Sequence, residues 1–160
     1  MSTPTEVIER LKATCQMQLA ADASLPGLVA HAYAAQGYTG IYIDNIPPAV
    51  TGGHPSRLEL VPAVVIVNLD TVFEFAFGDP TKMVIGYTSH LLIWAAAASL
   101  HGSGLVDIAN CCYAALVAMN IGIGFVQTMQ PTMARSQQPD DSVGNPYFWL
   151  GSEWTAQGNL

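Results

Sequence analysis

Between Met83 and Ala134 the chain carries a single Asp, Glu, Lys or Arg, Asp107. A stretch so poor in charge has three outlets: it crosses a membrane, it cradles a ligand's phosphate, or other protein hides it. Length alone would allow two spans, residues 83–106 and 108–134. Composition speaks against both. The first window holds His90, Ser99, His101, Gly102, Ser103 and Gly104 and changes midway from strand alternation to a helix start, while the second holds Asn110, Asn120, Gln127, Gln130 and Pro131. No flanking Lys or Arg sets an orientation, so no membrane partner is expected.

A phosphate loop fails on chemistry. Gly102 and Gly104 precede a helical pattern, where backbone amides favour anions. A nucleotide loop also needs a Lys and a Ser or Thr after the glycines, or a third glycine at dinucleotide spacing, and Asp107 instead places negative charge in the first turn. Ser103 is the expected N-cap, with the glycines letting the chain turn.

Burial against protein remains. Of 160 residues, 51% are hydrophobic and 11% charged, against about 25% charged in an average soluble domain. One domain of this length buries a core without staples. So few charges cannot cover its surface, and exposed apolar patches of that extent are interfaces. Twelve acids against five bases give a net charge of −7, which argues against holding nucleic acid through phosphate contacts. The charged N-terminus MSTPTEVIERLK reads as no targeting signal. Cys15, Cys111 and Cys112 are odd in number, two of them adjacent, which suits reduced thiols in a cytoplasm better than a disulfide framework.

Along the chain, Thr3, Pro4 and Glu6 form a capping box, and Ile8, Leu11, Cys15 and Leu19 recur at helical spacing, with Glu9, Arg10 and Lys12 elsewhere around the helix. Val29, His31 and Tyr33 alternate with alanines, and Ile41 and Ile43 flank Tyr42, predicting short strands. Residues 44–62, rich in Pro and Gly, read as a long loop. Two β-branched and aromatic runs around Gly78, Asp79 and Pro80 predict an antiparallel hairpin, with Phe73, Phe75 and Phe77 on one face and Val72, Glu74 and Ala76 on the other. Leu105, Ile108, Cys112, Leu116 and Met119 form the stripe of a second helix, ended by Gly122 and Gly124. A strand over about 125–135, an exposed acidic loop over 136–146 and a final strand YFWLGSEWTAQ complete the chain. The expected fold class is α+β: one domain, 1–160, with a mostly antiparallel sheet and two helices packed on one face. The final strand's Trp149 and Trp154 suggest that part of the other face meets a neighbouring subunit.

Catalytic and metal chemistry find no footing. Ser103 has His101 nearby but no nucleophile elbow. Cys111 and Cys112 sit in an apolar helix that makes them inert core residues. His31, His54, His90 and His101 are scattered, without metal-ligand spacing. Asp140 and Asp141 lie in a turn-rich loop with no apolar pocket to shift their titration. We therefore expect no catalytic, cofactor-binding or metal-binding residues, no cofactor, and no enzyme. The competing reading is a small cytoplasmic enzyme or ligand-binding domain with its site around His90, His101 and Ser103.

The order of elements resembles the tail terminator, or tail-completion, proteins of long-tailed bacteriophages. The resemblance is carried by the N-terminal helix, by VPAVVIVNLD (Val61 to Asp70) after a proline-rich approach, and by HLLIWA (His90 to Ala95). It continues through a glycine and serine connector into an alanine-rich helix, Leu105 to Met119, and two closing strands. It implies a small α+β subunit assembling into a homo-oligomeric ring, usually of six, that caps the tail tube and joins it to the head or neck. The implied partners are further copies of the chain, the tail tube protein and a neck or head-completion protein. The implied place is the virion, after assembly in the host cytoplasm. The long 44–62 loop and the low charge depart from that family, and another neck connector is the alternative. In such a ring, acidic residues such as Asp79, Asp140, Asp141 or Glu153 would line the lumen and let DNA pass without specific binding.

Overall fold

A computed structural model describes residues 3–29, 38–46, 60–97, 104–119, 125–137 and 148–160. Helix α1 (Pro4–Ala20) starts as its sequence predicts. The Thr3 hydroxyl accepts from the Glu6 amide at 3.3 Å and the Thr3 amide donates to the Glu6 carboxylate at 2.7 Å. Hydrogen bonding of the carboxylate by the Thr3 amide, and next by the Thr3 side chain, holds the Glu6 carboxyl below its ordinary range. The buried stripe is Val7, Leu11, Cys15 and Leu19, so Ile8, expected in the stripe, gives way to Val7. Ile8 itself is half-buried.

Lys12, expected on the polar side, is buried as well. Its ammonium lies 2.9 Å from the Glu9 carboxylate and 3.0 Å from that of Asp44. Burial opposes the Lys12 charge, but the hydrogen bonds to Glu9 and Asp44 outweigh it and raise the pKa. A short helix, α2 (Leu25–Leu28), follows, its start held by the Asp22 carboxylate, which accepts from the amides of Ser24 and Leu25. Val29, expected in a strand, caps α2 instead. His31 and Tyr33 lie outside the described residues.

Five strands, β1 (Ile41–Ile43), β2 (Ala63–Phe75), β3 (Val84–Ala97), β4 (Thr128–Gln137) and β5 (Phe148–Asn159), form one sheet in the order β1-β2-β3-β5-β4. Among the described residues only the β1–β2 pair is parallel. The expected α+β class with a mostly antiparallel sheet is therefore what the chain adopts. Helix α3 (Leu105–Val117) packs on β3 and β5, and α1 packs on β1, β2 and α3. The three α-helices among the described residues lie on one face of the sheet; α2 is one more than the two expected.

The core lies between these layers. Leu105, Ile108, Cys112, Leu116 and Met119 are buried, as the stripe predicts, against Ile66, Leu91, Ile93 and Trp154 of the sheet. The N-cap of α3 is Gly104, with no side-chain cap bond, rather than the expected Ser103, which lies outside the described residues.

In β2 the side facing the helices changes parity. Val64 and Ile66 face the core, then Phe73 and Phe75 do, because the register slips at Leu69 between Asn68 and Asp70. A bulge of this kind puts two residues opposite one and re-aims everything beyond it. Buried Ser89 accepts there from the Asn68 amide at 2.6 Å and shares a 2.8 Å hydrogen bond with Thr71. Phe77, expected on the Phe73 and Phe75 face, has left the strand: it sits in a turn of 3-10 helix over Ala76–Gly78 with φ 58°.

Candidate functional site

Of the residues of the competing active-site reading, His90 alone lies among the described residues. His90 projects from the outer face of β3, away from the helices, and its Nδ1 contacts the Asp70 carboxylate of the neighbouring strand. His101 and Ser103, like His54, Asp140 and Asp141, lie outside the described residues. Among the described residues no group of three His, Cys, Asp or Glu could hold a metal ion. No helix among them is long and apolar enough to cross a membrane.

Burial accounts for the thiols. It pushes Cys15 and Cys112 up to about 12, a state in which a thiol is neither nucleophile nor ligand. Cys111, expected in the core as well, is only half-buried, and its pKa is raised by partial burial and then by the charges of Asp22 and Asp107.

What the surface does carry is hydrocarbon. At one end of the outer face of the sheet Tyr42, Ile46, Leu60, Ala63, Val65 and Ala96 form a second apolar cluster that is itself buried. Trp94 and Trp149 pack against it with ring centroids 5.2 Å apart. Trp149 thus lies on the outer face, while Trp154 is buried under the helices, because five positions along a strand put two side chains on opposite faces. Away from that cluster the outer face is open: Val72 is 66% exposed on β2 and Met133 is 56% exposed on β4, with Asp70, His90 and Glu74 among them. On the far side of the molecule α3 presents Val106, Tyr113 and Val117 to solvent.

Three further features lie outside what the sequence pattern predicts. Phe77 is 99% exposed at the β2–β3 tip. The string FGDPT carries a turn signal, and reading it as the whole turn would have placed Phe77 outside the strand. At the other end of the sheet a cavity of about 370 Å³ is lined by Gln16, Met17, Ala20, Pro26, Thr39 and Ile41. A smaller polar cleft of about 210 Å³ lies over Thr88, Gln157 and Asn159 on the outer face, its side chains largely bonded to one another.

No protein-family model matches the sequence, and no curated protein sequence does. In three dimensions the chain is similar to one from the virion of a native gene transfer agent particle, with a TM-score of 0.52 and 18% identity. The match covers 94% of this chain and 95% of that one. At that identity the likeness is one of fold, and it extends over nearly the whole of both chains.

Proposed function

We propose that this chain is a structural protein of a phage-like virion: a tail terminator or tail-completion protein that self-associates into a ring, caps the tail tube and joins it to the head or neck. The observation that carries the reading is the end-to-end likeness of fold to a virion chain. The apolar side chains left in solvent support it. Val72, Met133, Phe77, Val106, Tyr113 and Val117 lie on more than one side of the molecule, as a ring subunit with two neighbours and two axial partners requires. The low charge of the chain fits the same need. The subunit works by shape and contact, with no bond made or broken.

Native mass spectrometry and negative-stain imaging of the purified chain test this. The expected result is a closed oligomer of fixed stoichiometry with a central opening. A strictly monomeric species at the highest soluble concentration, or a ring that binds neither tail tubes nor neck complexes in a pull-down, would overturn it.

A further inference from the structure

The tip of the β2–β3 hairpin is where a single copy least explains its own geometry. Phe77 is 99% exposed and holds φ 58°, a region where a bulky side chain is an outlier. Neighbouring bonds fix the tip all the same. The Asp79 carboxylate accepts from the amide and hydroxyl of Thr81 at 2.9 and 2.7 Å, and the Ala76 amide donates to the Met83 carbonyl at 3.0 Å. Met83 is itself about half exposed. Backbone strain held in this way collects at functional positions, and an aromatic ring on a fixed backbone is the kind of group that anchors an interface.

The cavity between α1, α2 and β1 suits such a ring. Its two polar side chains are already used: the Gln16 amide donates to the Ile41 carbonyl at 2.8 Å and the Thr39 hydroxyl donates to the same carbonyl at 3.3 Å. Met17, Ala20, Pro26 and Ile41 are left to offer hydrocarbon walls. A dry cavity of about 150 Å³ holds benzene, so about 370 Å³ admits a phenyl ring with space for the Met83 side chain.

Knob and groove cannot meet within one copy. Ile41 pairs with Val64 at the start of β2, whereas Phe77 follows the end of that strand. At roughly 3.3 Å per residue the strand holds them about 35–40 Å apart. We propose that Phe77 of one copy docks into the α1–α2–β1 groove of a second copy. Because the contact joins two different surfaces it is heterologous: it repeats head to tail, and closes where the rotation between copies permits. The proposal rests on the self-assembling reading above.

The test places p-benzoylphenylalanine at position 77 of the full chain, irradiates a mixture of isotope-labelled and unlabelled copies, and maps the joined peptides. The expected links are intermolecular and fall on residues 16–26 and 39–41. Phe77→Asn, which tolerates this backbone region, should weaken assembly at least about tenfold while the monomer stays folded. Ala20→Arg, placing a charge in the groove, should do the same. Links elsewhere, or unchanged assembly by both variants, overturn the docking contact and leave the ring reading standing. A wild-type chain that is monomeric at every concentration overturns both.

Discussion

The hydroxyl of Tyr87 donates to the carbonyl of Phe125 at 2.9 Å, while the two rings lie 5.1 Å apart. This pair ties the segment entering β4 to the middle of the sheet, and Gly158 makes room for it. A Cβ on Gly158 would meet Tyr87 Cε1 at 2.8 Å and would run into the Phe125 carbonyl. Gly158→Ala should therefore lose about 2–3 kcal/mol, the scale of overpacking. Tyr87→Phe, which keeps the ring and drops one hydrogen bond, should lose about 1 kcal/mol. Denaturant titration of both variants orders them, and a Gly158→Ala protein as stable as wild type would refute the close approach.

Phe77 makes the opposite prediction for an isolated subunit. Its ring buries almost nothing in one copy, and its backbone sits in the left-handed region. Phe77→Asn should raise monomer stability by about 0.5–1 kcal/mol, read as a higher Tm under conditions where assembly is absent. A lower Tm would mean that the ring is already engaged within the subunit.

Lys12 gives stability an alkaline limit. Its pKa is raised in the folded chain by Glu9 and Asp44 against the pull of burial. That stabilisation is fully present below the ordinary lysine value and is lost as pH rises through the raised one. Lys12→Met should keep stability within about 1 kcal/mol at neutral pH, since the two carboxylates left behind are largely in water, and should remove part of the alkaline decline. Asp44→Asn, which tolerates the positive φ of that position, should lose about 1 kcal/mol. At the acid end, Glu6 and Asp79 carry lowered pKa values, through bonds to Thr3 and Thr81, so their contribution is present above the ordinary carboxylate range and fades as pH falls through the folded values. Chemical denaturation across pH would show both limits.

Thiol labelling separates the three cysteines. With Cys15 and Cys112 buried and pushed up to about 12, only half-buried Cys111 should react with a maleimide in the native protein, and slowly. All three should react once the chain is unfolded. Rapid native modification of Cys15 would contradict the packing of α1.

Local signals made some of this legible from the sequence. The Thr3–Glu6 box and the Leu105 to Met119 stripe depend on residues three or four apart, and both stand in the fold. What escaped depends on distant partners. Burial of Lys12 makes sense only beside Asp44, which lies 32 positions on. The change of parity in β2 follows from the Asn68 to Asp70 slip against β3, which no period-two reading of one strand contains. Alternation counts Phe77 with its strand because it does not say where a strand stops. The surface was legible only as an excess of apolar residues; which of them face solvent is set by how the layers pack.

The stacking of Trp94 and Trp149 on the outer face, with Trp154 beneath the helices, gives the molecule two optical reporters. At 5.2 Å the paired indoles are close enough to couple electronically, so they contribute a dichroism signal from the outer face. Trp154, buried and set 5.6 Å from Tyr113, contributes emission from the core. Contact with a partner on the outer face should therefore change the signal of the Trp94–Trp149 pair while leaving the surroundings of Trp154 as they are.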